Sequence, residues 1–186
     1  MSSTLKPEFL QNYAQGYHTF IETGTAKGDG LKVAINHGFD HLYSIEANPD
    51  VFAQATKRFI ANEDVLILNG DGAKVLEQIL VGVNEPAVFW LDSHWSTGED
   101  ALPAGASQCP LLGELRAIAD HRIKGHLVMV DDCRYFWRGI QQWQDINMSD
   151  IIQHIMGIDP RYWITFEAGV TPNDILIAKM AAEPEV

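Results

Sequence analysis

The amino-acid sequence predicts an α/β fold, a three-layer, doubly wound and mostly parallel seven-stranded sheet that ends in a C-terminal antiparallel hairpin. Short apolar runs alternate with helical patterns five times along the chain, which is typical of a parallel sheet with helices packed on both faces. The apolar runs are nearly continuous, as expected of strands that are buried on both sides. The last two runs are joined through Gly169 and Pro172, and so short a connection favours an antiparallel pair at the sheet edge.

The individual elements follow from local composition. Each predicted strand is a short run rich in β-branched, aromatic or leucine residues and is bounded by turn residues. The clearest helix start has Asn48 as N-cap and Pro49 as first helical residue. The predicted strands are Tyr17–Glu22, His41–Glu46, Asp64–Asn69, Ala87–Asp92, His126–Asp131, Tyr162–Glu167 and Ile175–Lys179. The predicted helices are Leu31–His37, Pro49–Ala61, Ala73–Leu80, Pro110–His121 and Ser149–Met156.

The length and composition indicate one globular unit. The chain has 186 residues, and we predict a single domain over residues 1–186. Hydrophobic residues make up 46% and charged residues 20%, which argues against disorder. Gly98, Pro103 and Gly105 interrupt any regular pattern in the stretch 93–108. Irregular loops of this length in a compact domain are often lids or binding loops, so we predict a lid-like loop at 93–108.

The charge and the cysteine content exclude several classes of protein. The formal net charge is −12, so a phosphate backbone would be repelled and general nucleic-acid binding is not expected. No apolar run reaches about 18 residues and the first residues show no signal-peptide pattern, so neither a membrane span nor secretion is predicted. Cys109 and Cys133 form neither a CxxC pair nor a disulfide framework, which favours a cytoplasmic protein.

A glycine-rich loop between the first predicted strand and the first predicted helix is a candidate ligand site. It reads ETGTAKGDG from Glu22 to Gly30. Glycines permit positive φ and let a ligand approach the backbone, and the amides at a helix start attract anionic or polar groups. The spacing matches neither the P-loop nor the dinucleotide GxGxxG pattern, so a plain tight turn is the alternative. The candidate cofactor-binding residues of this loop are Glu22, Gly24, Thr25 and Gly28.

Acidic residues follow the next two predicted strands. Glu46 ends the second strand, at the position where a carboxylate accepts hydrogen bonds from ribose hydroxyls in nucleotide-binding sheets. Asp71 follows the third strand and is a candidate acceptor for an adenine amino group. The alternatives are a solvated charge at Glu46 and a helix N-cap at Asp71. Because doubly wound sheets bind ligands at the carboxyl ends of their strands, the three loops together predict a nucleotide-like site.

These segments resemble those of class I S-adenosylmethionine (SAM)-dependent methyltransferases. The similar stretches are FIETGTAKGDG, YSIEANP, LNGDG and FWLDSHW, within a resemblance that covers residues 17–180. In that family the glycine loop wraps the methionine part of SAM, the residue at the Glu46 position binds the ribose, and the residue at the Asp71 position contacts adenine. Glu22 matches the acidic residue that stands two positions before the first glycine. The resemblance implies a Rossmann-like methyltransferase fold with SAM as cofactor.

Three aspartates stand at the ends of the fourth and fifth predicted strands. Asp92 ends the fourth strand, and Asp131 and Asp132 end the fifth. Neighbouring strands lie about 4.8 Å apart, so three carboxylates would converge on one rim, and a divalent cation would relieve their repulsion. Mg²⁺ suits oxygen ligands, and Asp92, Asp131 and Asp132 are the predicted metal ligands. The alternative is that Asp131 or Asp132 caps a loop or pairs with Arg134 or Arg138.

His94 is the predicted general base. Histidine is the usual base near neutral pH, and His94 stands two residues after Asp92. A cation at this rim would lower the pKa of an acceptor hydroxyl, and the resulting oxyanion would attack the sulfonium methyl. We therefore predict His94 and Asp92 as catalytic residues and count Asp92 with the cofactor-binding residues as well. The alternative for His94 is that it packs beside Trp95 and donates to a carbonyl.

The ends of the fourth and fifth predicted strands, with Asp92, Asp131 and Asp132, are similar to those of the metal-assisted O-methyltransferases, including the catechol and macrocin types. They carry an aspartate after the fourth strand and an acidic pair after the fifth. The leading hypothesis is a SAM-dependent methyltransferase that transfers a methyl group to a small-molecule hydroxyl, with Mg²⁺ as the expected helper. The alternatives are an NAD-dependent oxidoreductase on a similar sheet and a non-catalytic cofactor-binding protein. The exposed edge hairpin also predicts a homodimer.

Overall fold

The computed structural model describes residues 3–94, 109–138, 143 and 146–180. All seven strands predicted from the sequence are present, two of them with the predicted bounds and the others with ends that differ by at most two residues. They are β1 (Thr19–Thr23), β2 (His41–Glu46), β3 (Val65–Asn69), β4 (Ala87–Leu91), β5 (Leu127–Val130), β6 (Tyr162–Glu167) and β7 (Ile175–Met180). The helices within these residues are α1 (Pro7–Tyr13), α2 (Asp29–His37), α3 (Pro49–Phe59), α4 (Gly72–Leu80), α5 (Leu111–Asp120), α6 (Cys133–Phe136) and α7 (Met148–Ile158).

The strands form one seven-stranded sheet in the order β3-β2-β1-β4-β5-β7-β6. Strands β1 to β5 run parallel, whereas β7 is antiparallel to both β5 and β6. The predicted fold class, a mostly parallel sheet with a C-terminal antiparallel hairpin, is confirmed. The chain proceeds from β1 outward to β3 and then returns to place β4 on the other side of β1. The boundary between β1 and β4 is thus the topological switch point, where open α/β sheets bind ligands at the carboxyl ends of their strands.

The two faces of the sheet carry separate apolar cores. Successive residues of a strand point to opposite faces, so Phe89 and Leu91 of β4 belong to one core and Val88 and Trp90 to the other. Helices α4, α5 and α7 cover the first core, and α1, α2 and the end of α3 cover the second. Helices on both faces give the three predicted layers, and burial of both faces explains why the strand sequences do not alternate with polar residues.

Two short helices, α1 and α6, go beyond the elements that the sequence predicts. Helix α1 has no side-chain N-cap and is fixed by the burial of Phe9 and Leu10 against the second core. The Tyr13 hydroxyl at its end donates to Glu167 Oε1 at 2.5 Å, and Lys179 Nζ donates to the Tyr13 carbonyl at 2.9 Å. A seven-residue helix is marginal by itself, so these tertiary contacts decide its formation. None of the helices in the described part of the chain has the length and apolarity that crossing a membrane requires.

Candidate functional site

The glycine loop lies between the ends of β2 and β4. The amides of Gly24 and Thr25 donate to the Ile45 carbonyl at 2.9 and 3.2 Å. Gly24 has a φ of 86°, and a Cβ there would lie 2.3 Å from the carbonyl oxygen of Asp92. A residue without a side chain is therefore required where the loop touches the end of β4. Gly28 also has a positive φ, 76°, and is the N-cap of α2.

Glu22 lies beneath the glycine loop and braces it. Its buried carboxyl accepts from Ser44 Oγ at 2.6 Å, and Ser44 is hydrogen-bonded to Thr25 Oγ1 at 2.6 Å. A Cβ on Gly30 would lie 2.3 Å from Glu22 Oε1, so the start of α2 packs directly on this carboxyl. Burial raises the pKa of Glu22 to about 8, although the bond from Ser44 acts in the opposite direction. Two predicted cofactor-binding residues, Glu22 and Thr25, thus belong to a hydrogen-bonded chain that shapes the loop.

Glu46 and Asp71 lie at the ends of adjacent strands beside this loop. Glu46 is 7% exposed and accepts from the Ala26 amide at 2.9 Å and the Asn48 amide at 2.8 Å. The alternative of a solvated charge at Glu46 is therefore wrong, because two amides hold the carboxylate against the loop. The Asp71 side chain accepts from the Lys74 amide at 3.3 Å, so the helix-cap alternative is confirmed. The contacts of both residues with a nucleoside stay predictions.

Asp92 and Asp131 meet across the ends of β4 and β5, where one carboxyl hydrogen-bonds the other. Burial, followed by the neighbouring Asp131, Asp132 and Glu22, raises the pKa of Asp92 well above its ordinary value. Burial and the charge of Asp132 raise the pKa of Asp131 to about 6. Thr4 Oγ1, from the segment before α1, donates to Asp131 Oδ2 at 2.5 Å. Adjacent strands thus bring these carboxyls together as predicted, and burial together with their mutual repulsion disfavours the charged form of both.

His94 stands between two carboxylates of this rim. Its Nε2 is hydrogen-bonded to Asp132 Oδ2, and its Nδ1 lies 3.6 Å from Asp92 Oδ1. The ring packs against Trp143 with centroids 4.5 Å apart, and 11% of the side chain is exposed. The tryptophan that His94 contacts is Trp143, since Trp95 lies outside the described residues, and the hydrogen-bond partner of His94 is a carboxylate and not the carbonyl of the alternative. A histidine that is held at one nitrogen by a carboxylate has the arrangement of an oriented general base.

Asp132 is held in turn by Arg134. Arg134 Nη1 contacts Asp132 Oδ1 and lies 2.6 Å from Asp174 Oδ2. Burial would raise the pKa of Asp132, but its bonds to His94 and Arg134 prevail and lower it. The alternative that Asp132 pairs with Arg134 is confirmed. Sequence reasoning missed Asp174, although the predicted antiparallel hairpin was a usable signal, because it brings the start of β7 to the end of β5.

Two groups of candidate metal ligands overlap at Asp132. Within each group the donor atoms lie within 4.8 Å of one another; the groups are Asp92, His94 and Asp132, and Asp131, Asp132 and Asp174. The predicted trio of Asp92, Asp131 and Asp132 is therefore divided between them. Arg134 already brings a positive charge to the second group. A divalent cation fits the donors on the Asp92 side better, since no arginine among the described residues already brings a positive charge to Asp92 and a cation would offset the repulsion it feels from the neighbouring carboxyls.

Glu114 is a buried carboxyl that sequence reasoning leaves as an ordinary helix residue. Ser93 Oγ donates to its Oε1 at 2.5 Å, and a Cβ on Gly72 would lie 2.2 Å from the same atom. Burial raises the pKa of Glu114 to about 7, and the nearby hydroxyls of Ser93 and Thr23 moderate the rise. Glu114 thus joins the loops after β3 and β4 beneath the switch point. Only the fold could reveal it, because α5 is distant from both loops in the sequence.

The predicted lid-like loop lies almost wholly outside the described residues. Of the stretch 93–108, the structure describes Ser93 and His94, and Trp95 is already outside. The lid-like role therefore stays a prediction.

Solved structures share the fold of this chain, although no family model and no curated protein matches its sequence. The O-methyltransferase from Bacillus cereus in complex with S-adenosylhomocysteine (SAH) is 16% identical, with a TM-score of 0.67 over 94% of this chain and 78% of that chain. An O-methyltransferase from Streptomyces achromogenes involved in tomaymycin synthesis, in complex with SAM, is 13% identical, with a TM-score of 0.68 over 95% of this chain and 78% of that chain. An SAH-bound methyltransferase from Podospora anserina is 14% identical, with a TM-score of 0.64 over 98% of this chain and 80% of that chain. This similarity establishes the fold of class I SAM-dependent methyltransferases, as the sequence motifs predict.

Proposed function

We propose that this chain is a SAM-dependent methyltransferase that acts on a hydroxyl group of a small molecule. The observation that carries the proposal is a contact: Gly24 of the glycine loop packs against Asp92, two residues before His94. The switch point, where sheets of this kind bind ligands, and a histidine held between two carboxyl groups are therefore neighbours. A cofactor site beside an oriented base is what methyl transfer to an oxygen requires.

The residues around the crevice fit SAM. Two amides hold the Glu46 carboxylate beside the loop, where it would accept from ribose hydroxyls. Asp71, at the adjacent strand end, would accept from the adenine amino group. The O-methyltransferases from Bacillus cereus and Streptomyces achromogenes carry SAH and SAM on the same fold. When bound, the sulfonium of SAM supplies a methyl group and leaves as a neutral thioether.

His94 is the proposed base. With its Nε2 hydrogen committed to Asp132, the lone pair of Nδ1 accepts the proton of the acceptor hydroxyl. The acceptor oxygen would take the methyl group that SAM supplies, and His94 would keep the proton on Nδ1. Asp132, whose pKa is lowered, stabilises the charge of the imidazolium that forms, and Asp92 lies 3.6 Å from the nitrogen that takes the proton. His94 and Asp92 are therefore the proposed catalytic residues.

Mg²⁺ is the proposed helper: Asp92 and Asp132, which share one group of donor atoms, are its proposed ligands, and Asp131, which belongs to the neighbouring group, stays the third predicted ligand. When bound, it would lower the pKa of the acceptor hydroxyl and orient it. Thermal unfolding separates this role from that of His94. We expect Mg²⁺ to raise the melting temperature of the wild type and of His94→Gln, but not of Asp92→Asn. Loss of the rise in His94→Gln would make His94 a ligand instead of the base, and no rise in the wild type would reject the metal.

Calorimetry with SAH tests the cofactor. We expect the wild type to bind SAH and Glu46→Gln to bind it about 1–3 kcal/mol more weakly, because a charged acceptor is lost. The matched control is Glu77→Gln, at an exposed position of α4, which should bind like the wild type. Binding of NADH without SAH would favour the oxidoreductase, and binding of neither would favour a non-catalytic protein. Transfer of labelled methyl from SAM to a panel of phenolic and sugar hydroxyls then tests the acceptor class.

A further inference from the structure

We propose that two copies of this chain pair through the outer edge of β6, antiparallel and about a two-fold axis at Ile164, so that their two sheets join into one. The paired surface lies at the end of the sheet farthest from β3, and none of its residues belongs to the proposed cofactor or metal site. The inference is therefore independent of the proposed function.

The first observation is that the outer edge of β6 is open. Strand β6 ends the sheet, so among the residues that the structure describes no strand pairs with its outer row of amides and carbonyls. Its pairing with β7 is continuous from Tyr162 to Glu167, so no bulge turns the edge away. The strand sequence YWITFE contains neither lysine nor proline, the residues that commonly protect an edge. Another strand can therefore add to this edge.

The second observation is the exposed tryptophan on this strand. Tyr162, Ile164 and Phe166 pack against the first core, so Trp163 and Thr165 point to the opposite face of the sheet. Trp163 is 52% exposed, although it lies within the strand. Aromatic side chains are enriched at protein interfaces, and a strand added beside Trp163 would cover part of its ring.

The third observation is that β6 is complementary to itself. Antiparallel pairing about a two-fold axis keeps each face of the joined sheet continuous when the axis passes through a residue, and an axis at Ile164 uses the whole strand. Each Trp163 then lies opposite Thr165 of the other copy. Arg161, directly before the strand, lies opposite Glu167 of the other copy. Opposite charges therefore meet twice across the axis, which favours a second copy of this chain as the partner.

Both charged residues are held near this edge by contacts within their own chain. Arg161 Nη2 lies 2.8 Å from Asp159 Oδ2, and 60% of the Arg161 side chain remains exposed. Glu167 is half-buried, and its Oε1 accepts from the Tyr13 hydroxyl at 2.5 Å. Pairing of two copies would thus add to contacts that already orient these side chains.

The opposite edge of the sheet, β3, lacks this complementarity. Leu66 in β3 is also 52% exposed. The same construction about Ile67 places Glu63 of one copy opposite Asp71 of the other, and two acidic residues in such positions repel each other. The chain carries a net charge of −12, so two copies repel unless their charges are locally complementary. The edge of β6 meets this condition and the edge of β3 does not.

Sedimentation velocity tests the proposal at protein concentrations from about 1 to 200 µM, the range suited to an interface of small area. We expect the wild type to form a dimer within this range. Trp163→Lys, which puts a charge on the open edge, should raise the dissociation constant of the dimer at least about tenfold. Leu66→Lys is the matched control, an equally exposed position on the other edge, and should dimerise like the wild type. Circular dichroism checks that each variant is folded.

A charge exchange tests the register. Arg161→Glu and Glu167→Arg each bring like charges together across the axis, so each variant alone should dimerise more weakly than the wild type. In an equimolar mixture the two variants supply opposite charges to each other at both positions, and we expect the dimer to return. If Glu167→Arg does not fold, the comparison of Trp163→Lys with Leu66→Lys decides the proposal.

Three results would overturn the proposal. A wild type that is monomeric at every concentration would leave the edge of β6 to a strand from a different protein. A dimer that persists in Trp163→Lys, or one that is lost in Leu66→Lys, would place the interface elsewhere. A mixture of the folded charge variants that associates no better than each variant alone would reject the register at Ile164. None of these measurements uses SAM or SAH, so a failure of the proposed function would leave their outcome standing.

Discussion

The two ends of the sheet hold histidines in opposite chemical settings. At the carboxyl end, His94 lies between the carboxylates of Asp92 and Asp132. At the amino end, His121 and His126 stack on each other with ring centroids 5.1 Å apart and have no carboxylate partner among the residues that the structure describes. The difference shows that buried histidines of one sheet can differ in their partners: the proposed base faces two carboxyl groups, whereas the pair faces backbone groups and each other.

The histidine pair at the amino end is a neutral hydrogen-bonded chain. The Ala87 amide donates to His126 Nδ1 at 3.0 Å, so the hydrogen of His126 is on Nε2, which faces the Ile123 carbonyl at 2.9 Å and His121 Nδ1 at 3.0 Å. The hydrogen of His121 is then on Nε2 and is donated to the Val83 carbonyl at 3.1 Å. Burial lowers the pKa of both rings, and that of His126 falls to about 4. The pair therefore stabilises the start of β4 and β5 without carrying charge.

Replacing His94 should have the largest effect on activity. We expect His94→Ala to lower the rate of methyl transfer by about 100- to 10,000-fold, the usual range for loss of a general base, with SAH affinity little changed. His126→Ala is the comparison at the other end of the sheet, and its activity per folded molecule should stay near that of the wild type. Single-turnover rates measure both. A His94→Ala rate within threefold of the wild type would remove His94 from the reaction.

Two glycines at opposite ends of β1 sharpen the comparison. Gly24 and Gly16 both have positive φ, but a Cβ on Gly24 would collide with Asp92, whereas nothing lies within 4 Å of one on Gly16. We expect Gly16→Ala to lower the free energy of unfolding by about 1 kcal/mol, from its backbone conformation alone. We expect Gly24→Ala to lower it by about 2–4 kcal/mol and to weaken SAH binding as well. Denaturant unfolding and calorimetry provide the two measurements. Equal costs for both variants would contradict the packing at Gly24.

Disrupting the histidine pair should lower the free energy of unfolding but leave the rate of methyl transfer nearly unchanged. In His126→Ala the buried Ala87 amide loses its acceptor, and we expect the free energy of unfolding to fall by about 1–3 kcal/mol at pH 8. Chemical unfolding measures the change, with His41→Ala at an exposed position as control. If His126→Ala lowers the free energy of unfolding no more than His41→Ala does, the hydrogen bonds of the histidine pair contribute nothing to stability.

The pH dependence of stability should have opposite signs at the two ends. The folded pKa of His126, about 4, lies below the ordinary 6.5, so its contribution is full above pH 6.5 and is lost as pH falls toward 4. The cost of His126→Ala should therefore shrink over that range. The folded pKa of Glu22, about 8, lies above the ordinary 4.5, so the wild type loses stability as pH rises from 4.5 to 8. The free energy of unfolding of Glu22→Gln should therefore rise relative to that of the wild type over this range. Unfolding curves at pH 5, 6, 7 and 8 measure both trends, and trends of the same sign would contradict these environments.

The sequence predicts the fold and the rim positions because both depend on local pattern. Alternating βα units require parallel strands, and parallel strands bring residues such as Glu46 and Asp92 to one edge. The partners of these residues could not be predicted from the sequence. The hairpin brings Asp174, together with its partner Arg134, to the site, and α5 brings Glu114. These contacts depend on packing angles that no local pattern contains. The homodimer and the cytoplasmic location stay predictions.

The bond from Thr4 to Asp131 has a practical consequence for the design of expression vectors. The amino-terminal arm reaches the acidic rim from in front of α1, and Lys6 Nζ further fastens it to the Ala168 carbonyl at 2.5 Å. Trimming the first five residues would strip Asp131 of its hydroxyl donor and uncover the rim. Residues 3–6 should therefore be kept unchanged in any variant used to study the acidic rim.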